Sequence, residues 1–102
     1  MSSPHVGDYG TVFNLTIYRH DNIVLDLSGA LVRQIIFYKP DTSTVITTGS
    51  LTNDGTDGKM YYTSPSGLLD TAGEWGIQGR VEYPTAAWST EVQGFVVEEN
   101  QK

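Results

Sequence analysis

The sequence predicts an all-β fold, an antiparallel sandwich or barrel of about seven short strands. Three observations support this prediction. Short segments alternate between apolar and polar residues, turn-forming residues recur about every ten positions, and no segment shows the 3.6-residue apolar stripe of a helix. The chain of 102 residues has room for one hydrophobic core. We therefore expect a single domain over residues 1–102, with its core between about residues 6 and 98.

The clearest alternation lies in EWGIQGRVEY, residues 74–83. Its apolar residues share one parity and its polar residues the other, which predicts a strand with one buried and one hydrated face. The apolar residues are Trp75, Ile77, Val81 and Tyr83.

Two earlier segments repeat this pattern. GTVFNLTIYR predicts a strand whose core face carries Phe13, Leu15 and Ile17. NIVLDLSG predicts another, with its core face formed by Ile23, Leu25 and Leu27.

The segment ALVRQIIFYKP, residues 30–40, is apolar at both parities, as in a central strand covered on both faces. We expect Ile35 and Phe37 in the core, with Ile36 as the competing candidate. Shorter β-rich runs predict strands at residues 45–48, 59–63 and 91–98.

Residues 51–75 hold four aspartate or asparagine residues and four glycines. A calcium loop needs oxygen ligands at alternate positions and a closing acidic residue. A loop anchored on Asp57-Gly58 has Gly55 at a ligand position and Ser64 at the closing one, so two side-chain ligands are missing. Asp-Gly also favours type I′ hairpin turns, so we expect turns here, with a weak cation site as the alternative.

The segment LDTAGEWGI, residues 69–77, is similar to the corner of immunoglobulin-like domains, where D-x-A-x-Y or D-x-G-x-Y leads into a core strand. Trp75 takes the aromatic position, one residue further from Asp70 than in that pattern. We expect that its indole N–H does not reproduce the bond of the tyrosine hydroxyl. The segment favours an antiparallel immunoglobulin-like β-sandwich among the all-β folds.

Three stretches, residues 12–30, 35–45 and 70–83, together resemble the small immunoglobulin-like domains of tailed-bacteriophage virions. The nearest family is the N-terminal domain of the phage upper baseplate protein. Its D-L-S-G-A step matches residues 26–30, and Lys39-Pro40-Asp41 matches the end of its apolar strand. Thr42 stands where that family has glycine, so we expect a different turn there.

The resemblance implies a non-enzymatic virion structural protein that acts by protein–protein binding. Such a protein is a head decoration or cement protein, part of a fibre base, or an accessory protein of the tail or baseplate. Its partners are then other virion proteins of the capsid, tail or baseplate. It would be made in the host cytoplasm and located in the virion.

Composition and charge bear on the classes of partner. Twelve acidic and six basic residues give a net charge of −6, which disfavours nucleic acid. No stretch approaches the roughly 20 apolar residues of a membrane-spanning helix. The residues at the start lack the pattern of a signal peptide, and the chain has no cysteine for disulfides or zinc–thiolate sites. We expect no nucleic-acid or membrane partner and no metal or cofactor.

Catalytic groups are sparse in the sequence. The two histidines are His5, in the N-terminal tail, and His20, in a predicted turn. Glu74 and Glu82 lie on a predicted hydrated face, where carboxylates lack the partly buried environment that tunes a catalytic pair. The sequence therefore predicts a protein that is not an enzyme.

Aromatic residues on the predicted outward parity are the candidate interface or ligand residues. They are Tyr18, Tyr38, Tyr61 and Trp88. Amphipathic aromatics are enriched at protein interfaces, although cross-strand pairing on an exposed face would also explain them. The alternative function is a carbohydrate-binding module for host-surface glycans, in which Trp88 and its neighbour Tyr83 would stack on sugar rings.

Two segments are predicted to support a homo-oligomer or a lattice. Residues 43–51, STVITTGSL, read as a sheet edge without the lysine, proline or glutamate that protects edges from pairing. Residues 1–8 show no core pattern and are expected to contact a partner. Removing them should then leave the thermal midpoint of unfolding nearly unchanged.

Overall fold

The computed structural model describes residues 4–19 and 23–99. These residues form eight strands and no helix, which confirms the all-β prediction. The strands are β1 (Val12–Thr16), β2 (Val32–Tyr38), β3 (Thr44–Thr48), β4 (Ser50–Leu51), β5 (Lys59–Thr63), β6 (Gly73–Glu82), β7 (Ala87–Ser89) and β8 (Gln93–Val97).

The strands form two antiparallel sheets that enclose the core between them. The smaller sheet has the order β1-β5-β4, and the larger has the order β3-β2-β6, with β7 and β8 both pairing with β6. With β1 taken as strand B, this strand order corresponds to the B-E-D and C′-C-F-G order of immunoglobulin-like sandwiches. The sandwich expected from the sequence is thus the observed architecture.

The last two strands lie along one edge of β6 and are separated by a bulge. Arg80 is opposite Ser89, and Ile77 is opposite Gln93, so the outer strand has one extra residue between these pairs. The Gln78 side chain bridges the gap by donating to the Thr90 carbonyl over 2.9 Å. The last strand therefore begins later than the predicted residue 91.

The core contains most of the inward residues predicted from alternation. Phe37 and Ile35 are fully buried, and Trp75, Ile77 and Val81 from β6 join the same cluster. Phe13 and Phe95 complete an aromatic cluster around Phe37, which has its ring centroid 5.1 Å from that of Phe13. Ile36 faces the opposite side of its sheet but is almost completely covered.

The predicted strand over residues 23–27 is wrong in part. Leu25 and Leu27 are buried, but Ile23 is 55% exposed, and only Val24 forms an isolated bridge, to Tyr18. The backbone of this segment bonds to loops and strand ends. Leu25 N–H donates to the Ile17 carbonyl, and Leu27 N–H donates to the carbonyl of a loop glycine.

The Asp-Gly pairs form turns, as predicted. Gly55 and Gly58 have φ values of 91° and 71°, whereas neither Asp54 nor Asp57 has a positive φ, so the turns are not type I′. A Cβ on Gly58 would lie 2.9 Å from the Ile17 carbonyl oxygen and also collide with that of Leu25. Three chain segments converge here, and only glycine leaves room for them.

Thr42, in the turn between β2 and β3, has a φ of 73°. This left-handed conformation favours glycine and is unfavourable for a β-branched residue. At residue 42 the turn therefore has the backbone conformation that glycine would take. Asp41 supports it by accepting hydrogen bonds from the backbone and hydroxyl of Ser43.

Trp75 braces the corner before β6. It is 2% exposed, and its Nε1–H donates to the Thr71 carbonyl over 2.9 Å, so the expectation that the indole forms no such bond is wrong. Lys39 Nζ lies 5.5 Å from the indole centroid and 2.6 Å from Asp70 Oδ1. The hydrogen bond from Lys39 holds the pKa of the Asp70 carboxyl below its ordinary value.

The N-terminal segment belongs to the fold from Pro4 onward. Glu98 N–H donates to the Pro4 carbonyl and Val6 N–H to the Glu98 carbonyl, both over 2.9 Å, so the segment runs parallel to β8. Val6 also packs against the core. The premise that residues 1–8 lack core contacts is therefore wrong for residues 4–7, while residues 1–3 lie outside the described part of the chain.

Candidate protein-interaction surfaces

The three candidate tyrosines lie on separate surfaces. Tyr18 is 56% exposed beside the bridge to Val24. Tyr38 is half-buried on the outer face of the larger sheet, where its hydroxyl donates to Gln78 Oε1 over 2.6 Å. Tyr61 is half-buried on the outer face of the smaller sheet, opposite Asn14 of the neighbouring strand. The fold therefore does not assemble these residues into one aromatic patch.

Trp88 departs from the predicted outward orientation. It lies opposite Val81, a buried residue of β6, and packs against the core while remaining half-buried. Its neighbour Tyr83 also packs against the core and donates its hydroxyl hydrogen to the Asp26 carbonyl. Because both side chains are occupied in this way, their placement lends no support to a sugar-stacking pair.

Among the described residues, β3 forms a free edge of the larger sheet, as predicted for this part of residues 43–51, whereas residues 50–51 form β4 and pair with β5 in the smaller sheet. Lys39 N–H donates to the Ser43 carbonyl, and Gly49 N–H donates to the Arg33 carbonyl. The direction of the backbone N–H and C=O groups alternates along a strand. At every second residue between Ser43 and Gly49, these groups therefore point away from β2. These residues are Thr44, Ile46 and Thr48.

An apolar surface adjoins this edge on the outer face of the larger sheet. Ile46, 61% exposed, lies opposite Ile36, and the exposed Val92 and Val96 lie further across the same face. Val92 rests on Gly76, where a Cβ would lie 2.7 Å from its Cγ1 atom. We call the three exposed side chains, Ile46, Val92 and Val96, the outer face. It was not predicted from the sequence, because the positions of Val92 and Val96 depend on the bulge in the last strand.

The acidic loop uses its carboxylates within its own turns. Asp57 accepts from the Asn53 side chain over 2.7 Å and from Lys59 N–H, and Asp54 accepts from both the backbone and hydroxyl of Thr56. These hydrogen bonds lower the pKa of both aspartates. In residues 4–19 and 23–99, no three histidine or acidic side chains form a group that could hold a metal ion.

The residues considered for catalysis are dispersed. His5 Nε2 lies 3.5 Å from Glu98 Oε2 at the N-terminal segment, and His20 lies outside the described residues. Glu82 is 3.5 Å from Arg80, while Glu74 lies near the other end of β6. The geometry gives none of the described ones, His5, Glu74 and Glu82, the nucleophile, base and orienting group of a catalytic site.

Across the described ranges, no helix is long and apolar enough to cross a membrane. No protein-family model, curated protein or solved structure matches the chain.

Proposed function

We propose that this chain is a non-enzymatic structural domain of a tailed-bacteriophage virion that acts by binding other virion proteins or further copies of itself. The observation that carries the proposal is the free β3 edge. Its outward N–H and C=O groups are flanked by serine, threonine, valine and isoleucine, without a protecting lysine, proline or glutamate. Such an edge can accept a strand from a partner by β-augmentation.

The outer face supports the same proposal. A strand added to β3 would place its own side chains alongside the exposed Ile46 on this face. Aliphatic contacts would then add to the backbone hydrogen bonds, and burial is worth about 25 cal/mol per Å² of apolar surface. Backbone pairing and apolar contact at Ile46 therefore act together at the β3 edge.

Mass spectrometry of purified particles from cells infected by a phage that encodes the protein provides the first test. We expect the protein in particles at a fixed ratio to the major capsid or tail proteins. Abundance in infected cells together with absence from particles would contradict the proposal. Analytical ultracentrifugation of the isolated protein then distinguishes self-association from binding that needs another virion protein.

The edge itself is tested with Ile46→Pro. Proline removes the outward N–H, and residue 46 donates no ladder bond to β2, so the fold should persist. We expect at least about a fivefold loss of particle attachment, which corresponds to about one net backbone hydrogen bond. Ala87→Pro, at the outer edge of β7 in the same sheet, is the matched control: residue 87 donates no ladder bond to β6, and the variant should attach normally.

A further inference from the structure

A long groove runs along the side of the sandwich between β1 and β8. One half has a volume of about 550 Å³ and begins at Pro4 and Asp8. The other half has a volume of about 670 Å³ and ends at Tyr18 and Arg19. The two halves share Asn14, Leu15 and Gln93, so they form one continuous groove.

The free edge of β1 forms one wall of this groove. Ser64 N–H donates to the Thr11 carbonyl, and Ile17 N–H donates to the Gly58 carbonyl, so the odd-numbered residues of β1 bond to β5. The N–H and C=O groups of the even-numbered residues point toward the groove. These residues are Val12, Asn14 and Thr16, and in the described part of the chain β1 pairs with β5 alone.

The free edge of β8 forms the opposite wall. Glu98 directs its N–H and C=O away from β6 and bonds to Pro4 and Val6. Because the direction alternates along the strand, the N–H and C=O groups of Val96 and Gly94 also point away from β6, toward the groove. The segment at Pro4 is thus a short added strand on this edge, and the groove continues beyond it.

The floor of the groove is apolar because the aromatic cluster is open on this side. It is lined by Phe13, Leu15, Ile77 and Phe95. Phe13 and Phe95 are in contact, with their centroids 5.2 Å apart, yet both remain half-exposed, whereas Phe37 behind them is fully buried. Side chains at alternate positions of an inserted strand would cover this floor.

We propose that the groove binds an extended peptide segment of a partner protein, which adds to β1 as a fourth strand of the smaller sheet. The segment would alternate β-branched apolar residues toward the floor with polar residues toward solvent. It would carry lysine or arginine, since two of the three charged side chains along the groove, Asp8 and Glu91, are acidic, against Arg19, and the net charge of the chain is −6. This site is distinct from the β3 edge and independent of it.

The probe is the acetylated, amidated and fluorescein-labelled peptide Lys-Val-Thr-Val-Thr-Val-Lys. Its seven residues span roughly 23 Å as a strand, somewhat longer than the five residues of β1. In antiparallel pairing, the peptide residues that bond to Val12, Asn14 and Thr16 carry their side chains toward solvent, so the control peptide has proline in place of the first threonine, which removes a ladder donor to β1. We expect saturable binding of the probe in fluorescence anisotropy, at least about fivefold weaker binding of the control, and amide NMR shifts confined to residues 11–17 and 93–97.

Two variants locate the site. Asn14→Pro removes an N–H that faces the groove and donates no bond to β5, so we expect at least about a fivefold loss of probe affinity with the fold retained. Gln93→Trp places an indole in the groove from an exposed position and should block the probe even if the proline variant does not fold.

Ile46→Pro, at the β3 edge, is the control and should bind the probe normally. The proposal is overturned if the probe and its proline control bind equally. It is also overturned if Ile46→Pro, instead of the groove variants, abolishes binding, or if no binding occurs at all. Loss of particle attachment in Ile46→Pro with intact peptide binding would support the two sites separately.

Discussion

The two sheets of the sandwich are held in place by different means. The larger sheet is built on long strands: β2 pairs with β6 over seven residue pairs, and β6 presents its buried side chains in strict alternation. The smaller sheet contains a strand of two residues and is flanked by the non-strand segment that carries Leu25 and Leu27. Hydrophobic alternation suffices for the first sheet, whereas the second depends on close backbone approaches at glycine.

Gly58→Ala should produce the largest loss of stability, since it disrupts the close backbone packing beside the smaller sheet. The new Cβ would collide with the carbonyl oxygens of Ile17 and Leu25, and alanine would be forced to a φ of 71°. We expect a loss of about 3 kcal/mol in the free energy of unfolding, measured by urea denaturation.

Gly67→Ala is the matched control for that variant. Gly67 has a φ of 93°, but no atom lies within 4 Å of the point that a Cβ would occupy, so alanine there meets backbone strain without collision. We expect a loss of about 1 kcal/mol. Equal losses in the two glycine variants would show that φ alone matters and that the close approach at Gly58 does not.

Gly79→Ala tests the larger sheet and should have a smaller effect. A Cβ there would lie 2.9 Å from Ile17 Cδ1 and 3.0 Å from Met60 Cε, the ends of two side chains that can move. We expect a loss of about 1 kcal/mol, partly offset by the lower flexibility of alanine in the unfolded chain. A loss as large as that of Gly58→Ala would contradict the distinction between the sheets.

Thr42→Gly should produce the smallest change in stability, and it should stabilise the fold instead of destabilising it. Glycine relieves the left-handed strain at residue 42, but it also increases the entropy of the unfolded chain. We expect a gain of about 0.5 kcal/mol in the free energy of unfolding, with a higher thermal midpoint in calorimetry. A loss of stability would show that the threonine side chain stabilises the turn by more than the strain costs.

The distinction between local alternation and distant backbone contacts also explains which parts of the fold could be predicted from the sequence. The core positions of Phe13, Leu15 and Ile17, and those in β6, follow from a period of two that needs no knowledge of the partner strands. Ile23 shares that parity with Leu25, yet it is exposed, because the segment bonds to Ile17 and Gly55 instead of continuing as a strand. Local alternation cannot reveal such distant backbone partners.

Of the candidate surfaces, only the β3 edge was predicted, because the other two depend on contacts between distant parts of the chain. The β3 edge could be predicted because its lack of protecting residues is a property of one segment. The outer face could not, because the bulge shifts the parity of Val92 relative to Trp88. The groove escaped prediction as well, since its walls are nearly 80 residues apart in the sequence and Asn14 and Gln93 meet only when the sandwich closes.

The parallel pairing of the N-terminal segment with β8 also has a mechanical consequence. Tension applied at Pro4 and Glu99 would pull the two strands in opposite directions along their length. The two hydrogen bonds at Glu98 would then be loaded in shear and would have to break together, whereas peeling β8 from β6 breaks bonds one after another. A domain tethered at both ends would therefore resist tension first at this short pairing.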